Sequence, residues 1–392
     1  MPSPFTRREM LKHTGAYATA AVLGPGRPTL AAQQAKVVSR SVISRQPHLY
    51  NGWPTLVRRR GGQLWVVCSG GRESHVCPFG RVEAMTSGDD GQTWTWPRVL
   101  LDSAIDDRDA GVLETSKGTL LVTTFTSLAF QEHLLAPAER LKLGDPGAWS
   151  QEKLARWRAV CDRLNAEERR KELGVWMIRS TDDGKSWSQR DRCLVNSPHG
   201  PVQISDGRQL YAGKELWHGE ERIGVCESAD DGQSWRWLAT IPTRPGDDHR
   251  NYHELHAVEA ANGSIVVHIR NHNKNQERET LQTESSDGGK TWSVPHAIDV
   301  WGLPSHLLRL RDGRLLMSYG HRRPPFGNQA RLSTDNSRTW SEPMTISGDG
   351  IGGDLGYPST VELADGTLLS VWYERRKESP RAVLRQARWR IG

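Results

Sequence analysis

The sequence predicts an all-β fold, a six-bladed β-propeller with a helical insertion in blade two. Three observations predict it. An octet, Ser-x-Asp-x-Gly-x-x-Trp, occurs at Ser87–Trp94, Ser180–Trp187, Ser228–Trp235, Ser285–Trp292 and Ser333–Trp340, the last with Ser337 in place of glycine. Its Asp side chain can accept backbone N–H bonds, its Gly can take φ > 0, and its Trp can cover a hairpin from the side. Six segments, in turn, read as an apolar run, a Gly-centred turn and a second apolar run: Pro54–Val67, Val112–Thr123, Val202–Ala212, Val258–His268, Leu307–Ser318 and Val361–Trp372. Each fits a hairpin with a two-residue Asp-Gly or Asn-Gly type turn. Finally, hairpin and octet alternate along the chain, hairpin first. Four strands per unit and six units make a propeller.

Taken in order, the chain opens with residues 1–32, which read as an export signal. Thr6-Arg7-Arg8-Glu9-Met10-Leu11-Lys12 resembles the twin-arginine consensus, Tyr17 to Leu23 is a short apolar core, and Leu30-Ala31-Ala32 offers small residues for cleavage. That core is too short to span a bilayer. A periplasmic or secreted location and the twin-arginine export machinery as a partner are therefore expected. The propeller domain is expected over 37–392. Val37–Ser44 and Ala382–Ile391 lie outside the six hairpins and should share the last blade, closing the ring.

One interval breaks the repeat. Ser87 and Ser180 are 93 residues apart, against 48 to 57 for the other octets. The surplus, about 129–173, is rich in Glu, Arg, Leu and Ala, and Leu154, Trp157, Val160, Cys161 and Leu164 recur at helical spacing. It is expected to leave blade two between its second and third strands and to pad the rim or wall the central pocket.

Composition narrows the function. Trp is abundant at 16 and Gly at 38, while Phe is scarce at 5, the profile of a turn-rich β protein. The formal charge of +6 is spread out, with no Lys/Arg run interleaved with aromatics, so no nucleic-acid partner is expected. The five cysteines form no Cys-x-x-Cys pair and no metal spacing, so neither a metal nor a cofactor is expected. Cys68 and Cys77 are near enough in sequence to be bridged or free.

The loops leading into each innermost strand, and those joining strands two and three, open on one face around the axis. The octets join strands three and four and lie on the other. On the first face stand Asp106-Asp107-Arg108-Asp109, His199, His253-Glu254-Leu255-His256, His306 and Gly356-Tyr357-Pro358 at the inner-strand starts. Arg72-Glu73-Ser74-His75, Arg270, His321-Arg322-Arg323 and Glu374 stand at the second-strand ends. A funnel of His, carboxylate and Arg residues is the default active site.

On these octets and residues the chain resembles the sialidase (neuraminidase) superfamily, whose Asp-box repeats they match, over roughly residues 45–391. The resemblance implies an exported exo-glycosidase that hydrolyses a terminal sialic acid or similar acidic sugar from a glycan, with retention. Tyr357 in Gly-Tyr-Pro-Ser matches the nucleophilic tyrosine, Glu254 its base partner, and Arg270 and Arg331 two arginines of a carboxylate clamp. Glu374, in Trp-Tyr-Glu, matches the carboxylate that braces the first arginine. A tyrosine suits an anomeric centre that bears its own carboxylate, which would repel an anionic nucleophile, and guanidinium forks match a carboxylate bidentately.

Two positions depart from that pattern. Asn51-Gly52-Trp53-Pro54 stands where Phe-Arg-Ile-Pro is usual, so the first clamp arginine is missing, with Arg72, Arg108 or Arg322 as substitutes. The acid is expected shortly after Arg72, where the chain has no Asp. His75 leads as its replacement, favoured by Glu73 nearby, with Asp107 and Asp109 as rivals. His199 is a further candidate contact to substrate. The departures leave open a glycosidase or polysaccharide lyase acting on a uronate-containing glycan, and a non-catalytic Asp-box binding propeller.

Overall fold

The computed structural model describes residues 33–392, so the export signal expected over 1–32 lies outside the described residues. Among the described residues, twenty-four strands form six four-stranded antiparallel sheets. After a first strand, β1 (Ala35–Val42), blade 1 is β2 (Tyr50–Arg58), β3 (Leu64–Arg72), β4 (Arg81–Ser87) and β5 (Arg98–Leu101). Blade 2 is β6 (Asp106–Glu114), β7 (Leu120–Ser127), β8 (Val175–Ser180) and β9 (Asp191–Arg192). Blade 3 is β10 (Val202–Gln203), β11 (Gln209–Lys214), β12 (Ile223–Ser228) and β13 (Arg236–Thr240). Blade 4 is β14 (Tyr252–Glu259), β15 (Ile265–Asn271), β16 (Glu279–Ser285) and β17 (His296–Trp301). Blade 5 is β18 (Ser305–Arg309), β19 (Leu315–His321), β20 (Gly327–Ser333) and β21 (Met344–Ser347). Blade 6 is β22 (Leu355–Glu362), β23 (Leu368–Arg376) and β24 (Ser379–Ile391), and its fourth strand is β1 (Ala35–Val42). β1 pairs antiparallel with β24 from Ala35↔Ile391 to Val42↔Arg385, which closes the ring.

The six inner hairpins are alike, but their turns differ from the two-residue form expected. In each, one residue bonds to another four positions on: Arg59 to Gln63, Thr115 to Thr119, Ile204 to Arg208, Ala260 to Ser264, Leu310 to Arg314 and Leu363 to Thr367. The last loop residue is Gly62, Gly118, Gly207, Gly263, Gly313 or Gly366, with φ between 79° and 91°. This is the three-residue loop ending in a left-handed glycine, whose bulge keeps the strands twisted together.

The octets work as expected. In all five the Ser hydroxyl accepts the N–H of the glycine position at 2.9 Å, Ser337 included. The Asp carboxylate accepts from the backbone and hydroxyl four residues on, as Asp89 does from Thr93 at 2.9 and 2.6 Å. The glycine also lets blades meet: a Cβ on Gly184 would sit 2.2 Å from the Trp65 ring of blade 1, and one on Gly232 2.7 Å from Leu121 of blade 2. At the seam, Gln386 on β24 accepts from Trp94 Nε1 at 3.0 Å and donates to Gly91 O at 2.7 Å, tying blade 1 to blade 6.

Between β7 and β8 the chain forms α1 (Ala136–Arg140), α2 (Gln151–Cys161) and α3 (Ala166–Lys171). Ser150 and Asn165 cap α2 and α3. Leu154, Trp157 and Cys161 of α2 pack with Cys77, Ile105 and Phe130. All five cysteines are free and buried. No helix among the described residues is long and apolar enough to cross a membrane.

Candidate active site

A strained bulge builds the centre of the site. In the inner strands of blades 1, 2, 4 and 6, pairing with the second strand slips between Gly52 and Thr55, Arg108 and Gly111, His253 and His256, and Gly356 and Ser359. Each slip holds one left-handed residue: Trp53 (φ 52°), Asp109 (52°), Glu254 (45°) and Tyr357 (53°). Bulky residues rarely adopt that conformation, at a cost of roughly 1–3 kcal/mol each. A bulge redirects a side chain, and here it gathers four of them. Blades 3 and 5 carry Pro198 and Pro304 at the same distance before the hairpin glycine. Proline cannot take positive φ, so neither place holds a left-handed residue at that position, although the register still changes across both, from Asn196↔Lys214 to Val202↔Leu210 and from Leu303 N–H bonded to Gly320 O to Ser305↔Tyr319.

Tyr357 and Glu254, from blades 6 and 4, meet. The phenol donates to Glu254 Oε1 at 2.5 Å, Arg270 Nη1 donates to Glu254 Oε2 at 2.5 Å, and the same nitrogen lies 3.0 Å from the phenol oxygen. Burial, then the Glu254 charge, hold the Tyr357 pKa well above its ordinary value, so the phenol keeps its proton at rest. Burial alone would raise the Glu254 pKa, but the Arg270 charge and hydrogen bond outweigh it and leave it lowered. Arg322, at the end of β19, lies 5.5 Å from the Tyr357 ring centroid. Its Nε donates to Leu355 O at 3.0 Å, while its buried Nη2 has no protein partner. Arg270, Arg322 and His272 line a cavity of ≈ 200 Å³ together with Trp301. Asp109 is buried, and burial followed by the Glu254 charge pushes its pKa up to about 7.

Trp53 fills the place where the resemblance calls for an arginine. Its buried ring lies 4.9 Å from the His75 ring, 6.4 Å from Tyr357 and 5.9 Å from Tyr373, with the Arg72 and Arg108 guanidinium groups 4.9 and 4.6 Å from its centroid. His75 stands at this edge, half exposed. Its partner is not Glu73, as expected, but Asp354: His75 Nδ1 is 2.9 Å from Asp354 Oδ1, and the Tyr50 and Tyr373 hydroxyls donate to the same oxygen at 2.9 and 3.1 Å. Glu73 turns away because α2 captures it, through Arg156 at 2.8 Å and Trp157 Nε1 at 3.0 Å. Partial burial lowers the His75 pKa; the Asp354 hydrogen bond opposes this and Arg108 reinforces it. With Nδ1 engaged, Nε2 is the nitrogen left for the mouth.

Other expected site residues lie elsewhere. Arg72 is fully buried and spent on Asp106, which it grips bidentately at 2.6 and 2.9 Å, so it supports Trp53 from below rather than facing a ligand. Arg108 borders the mouth, donating to His75 O at 3.2 Å. Asp107 is buried beside Ser103, its pKa pushed up to about 7 by burial. Arg331 does not join Arg270. It sits in mid-β20, donating to Tyr319 Oη at 3.3 Å and Ser341 O at 3.0 Å, in a separate pocket. Glu374 pairs with Arg385 on β24 and not with a clamp arginine. His199 is buried in the axial channel, its ring 5.3 and 5.0 Å from those of His256 and His306. Burial lowers all three histidine pKa values well below the ordinary range, so these rings are neutral. Among the described residues no group of three or more His, Cys, Asp or Glu side chains is placed to hold a metal ion.

A family model described as a BNR repeat-like domain matches residues 126–369. The chain belongs to that family. No curated protein matches it. Among solved structures, a protein of unknown function from Dyadobacter fermentans is 21% identical with a TM-score of 0.72, the alignment covering 91% of this chain and 99% of that one. The NanB sialidase of Streptococcus pneumoniae is 15% identical with a TM-score of 0.61, covering 92% and 70%. The intramolecular trans-sialidase of Ruminococcus gnavus is 12% identical with a TM-score of 0.60, covering 90% and 96%. At these identities the likeness is one of fold, and this BNR propeller is a divergent, sialidase-like one.

Three participants in the BNR propeller's site were not singled out from sequence: Asp354, Tyr50 and Tyr373. Asp354 and Tyr50 precede the bulge residues Tyr357 and Trp53 by three positions each. That shared offset from the inner-strand bulge was the available signal.

Proposed function

We propose that this BNR propeller is an exo-acting glycosidase of sialidase type, which removes a terminal acidic sugar from a glycan with retention of configuration. The observation that carries the reading is the contact of Tyr357, Glu254 and Arg270 from two blades far apart in sequence. In this reading Glu254 Oε1 takes the phenol proton across 2.5 Å as the Tyr357 oxygen attacks the anomeric carbon. Arg270 Nη1, 3.0 Å away, steadies the charge that develops on that oxygen. Arg322, with its unpartnered Nη2, and the third nitrogen of Arg270 receive the sugar's carboxylate, a clamp of two arginines rather than three. His75 Nε2 protonates the leaving oxygen, with Asp354 holding the ring, and later accepts a proton from the attacking water. Arg108 adds positive charge at the rim, and the helices α1–α3 wall the side that holds Glu73. Asp109, neutral below about pH 7, leaves the bound carboxylate unopposed.

A uronate-containing glycan, cleaved by hydrolysis or by elimination, is the second reading. The indole of Trp53 in the missing arginine's place favours it, because the two arginines that remain fall short of the three-arginine clamp that the sialidase resemblance calls for. The propeller as a pure binding module is the weaker alternative, since binding needs no tyrosine bonded to a carboxylate. Export by the twin-arginine route is part of the proposal and rests on residues 1–32.

The test is release of fluorophore from a 4-methylumbelliferyl sialoside by the mature protein, repeated with Tyr357→Phe. Release abolished by that substitution supports the first reading. Unsaturated-uronate absorbance from a polyuronate panel, with no sialoside cleavage, moves the assignment to the second.

A further inference from the structure

A second pocket, of ≈ 360 Å³, opens beside the first between blades 4 and 5, lined by Glu279, Asp299, Trp301, Arg323 and Arg331 among others. Trp301 lines both cavities and is the wall between them. The pocket holds two carboxylates and two guanidinium groups, and among the described residues none of the four is in an ion pair. Arg331 spends two nitrogens on Tyr319 and Ser341, and Arg323 Nε reaches His321 at 3.2 Å, which leaves the remaining guanidinium nitrogens free. Glu279 Oε2 is buried with no partner. Four charged groups on the walls of one pocket are left without a counter-charge, and the buried Glu279 oxygen is the costlier for having no hydrogen-bond donor.

The backbone keeps them apart. Pairing of β16 with β17 slips between Glu279 and Leu281, which sets Glu279 opposite Trp301, and Asp299 takes the left-handed conformation at φ 55°. Arg331 is fixed on β20 of the next blade, and Arg323 lies 4.4 Å from the Trp301 ring centroid. The result is a concave site with acceptors on one wall, donors on the other and no net charge. A polyol meets that pattern, since each hydroxyl both donates and accepts. A second acidic sugar does not, because Glu279 and Asp299 would repel it. The volume lies within the roughly 300–1,000 Å³ of small-molecule sites.

We propose that this outer pocket is a sugar subsite for a neutral, hydroxyl-rich unit of the same glycan whose acidic residue lies over Arg270 and Arg322. The link to that glycan rests on the function proposed above; the sugar-binding site itself does not. The experiment is calorimetric titration of the full-length mature protein with lactose, maltose, cellobiose and, separately, sodium glucuronate. It is repeated on Tyr357→Phe and on the isosteric pair Glu279→Gln/Asp299→Asn. The expected result is saturable binding of at least one neutral disaccharide, retained in Tyr357→Phe and weakened about tenfold in the pair, the loss of one or two charged hydrogen bonds. Absence of binding by all three disaccharides overturns the proposal, as does binding that the pair leaves unchanged, or outer-pocket binding of glucuronate in their place. Failure of sialoside or uronate cleavage, with disaccharide binding intact, would strike the catalytic reading and leave the subsite standing.

Discussion

Tyr357, Glu254 and Arg270 share one network, so their losses should not add. Tyr357→Phe and Glu254→Gln are each expected to lower kcat by about a thousandfold, the order of a lost proton-transfer partner, and the double variant to be no slower than the worse single one. Steady-state kinetics on the same glycoside check this. Asp109 adds a pH signature. Its pKa is raised to about 7, so it is neutral in acid and ionises as pH rises through 7, placing a second negative charge near Glu254 and near the carboxylate of the proposed substrate. Loss of the proton from His75, whose pKa is lowered, already gives an alkaline limb, so the fall should steepen above about pH 7 as Asp109 ionises, and Asp109→Asn should return the pH–rate profile there to the slope of a single ionisation. The residues most easily read from sequence were those carrying a motif, Tyr357, Glu254 and Arg270. Arg331 was misplaced because its register in β20 was invisible: two residues before an octet puts it within the strand, beside Tyr319 and Ser341, in the pocket on the other side of Trp301 from Arg270. Asp354 was missed because a lone Asp in Gly352-Gly353-Asp354 reads as turn chemistry until Tyr50, His75 and Tyr373 are seen around it.

At the scale of the element, the hairpins and octets were legible because Gly, Asp and Trp recur at fixed offsets. The inner bulges were not legible: Trp53, Asp109, Glu254 and Tyr357 each stand nine residues before a hairpin glycine, but so do Pro198 and Pro304, so the offset marks a position in the blade and not its backbone. What sequence could not supply was the slip in pairing that gives this position its left-handed backbone. The octets make a prediction of their own. Asp89 and Asp287 are each held near a pKa of about 2, chiefly by the hydroxyl of Thr93 or Thr291 and then by backbone N–H bonds. Their folded pKa lies below the unfolded value near 3.9, so they stabilise the fold above about pH 4, and that contribution is lost as pH falls toward 2. Acid unfolding followed by circular dichroism should begin in that window, and Asp89→Asn should make stability less steeply dependent on pH there. Ser337 shows why the fifth octet survives without glycine: its N–H still reaches Ser333 Oγ at 2.9 Å, with φ 73°.

The whole molecule depends on closure. β1 completes blade 6, and Gln386 bonds across the seam to Trp94 and Gly91, so the chain's two ends hold the ring that brings blades 4 and 6 together. Gln386→Ala leaves a buried indole N–H and a carbonyl without partners and should cost about 1–3 kcal/mol, measured by denaturant unfolding. Because Tyr357 and Glu254 are 103 positions apart, a loosened seam should lower activity before the secondary structure is lost. The number of blades was readable from the repeat alone, since six hairpins leave one strand at each end to be shared. The position of α1–α3 against Cys77 and Phe130 was not, because helical spacing tells which face is apolar and not what it meets.

The central claim is that this geometry makes Tyr357 a nucleophile. Incubation with a 2,3-difluorinated acidic sugar, followed by peptide mass spectrometry, tests it most directly. A sugar adduct on the peptide containing Tyr357, slow to turn over and absent from Tyr357→Phe, is the expected result. An adduct on Glu254 or another carboxylate, or turnover with no adduct and inverted configuration, would contradict it.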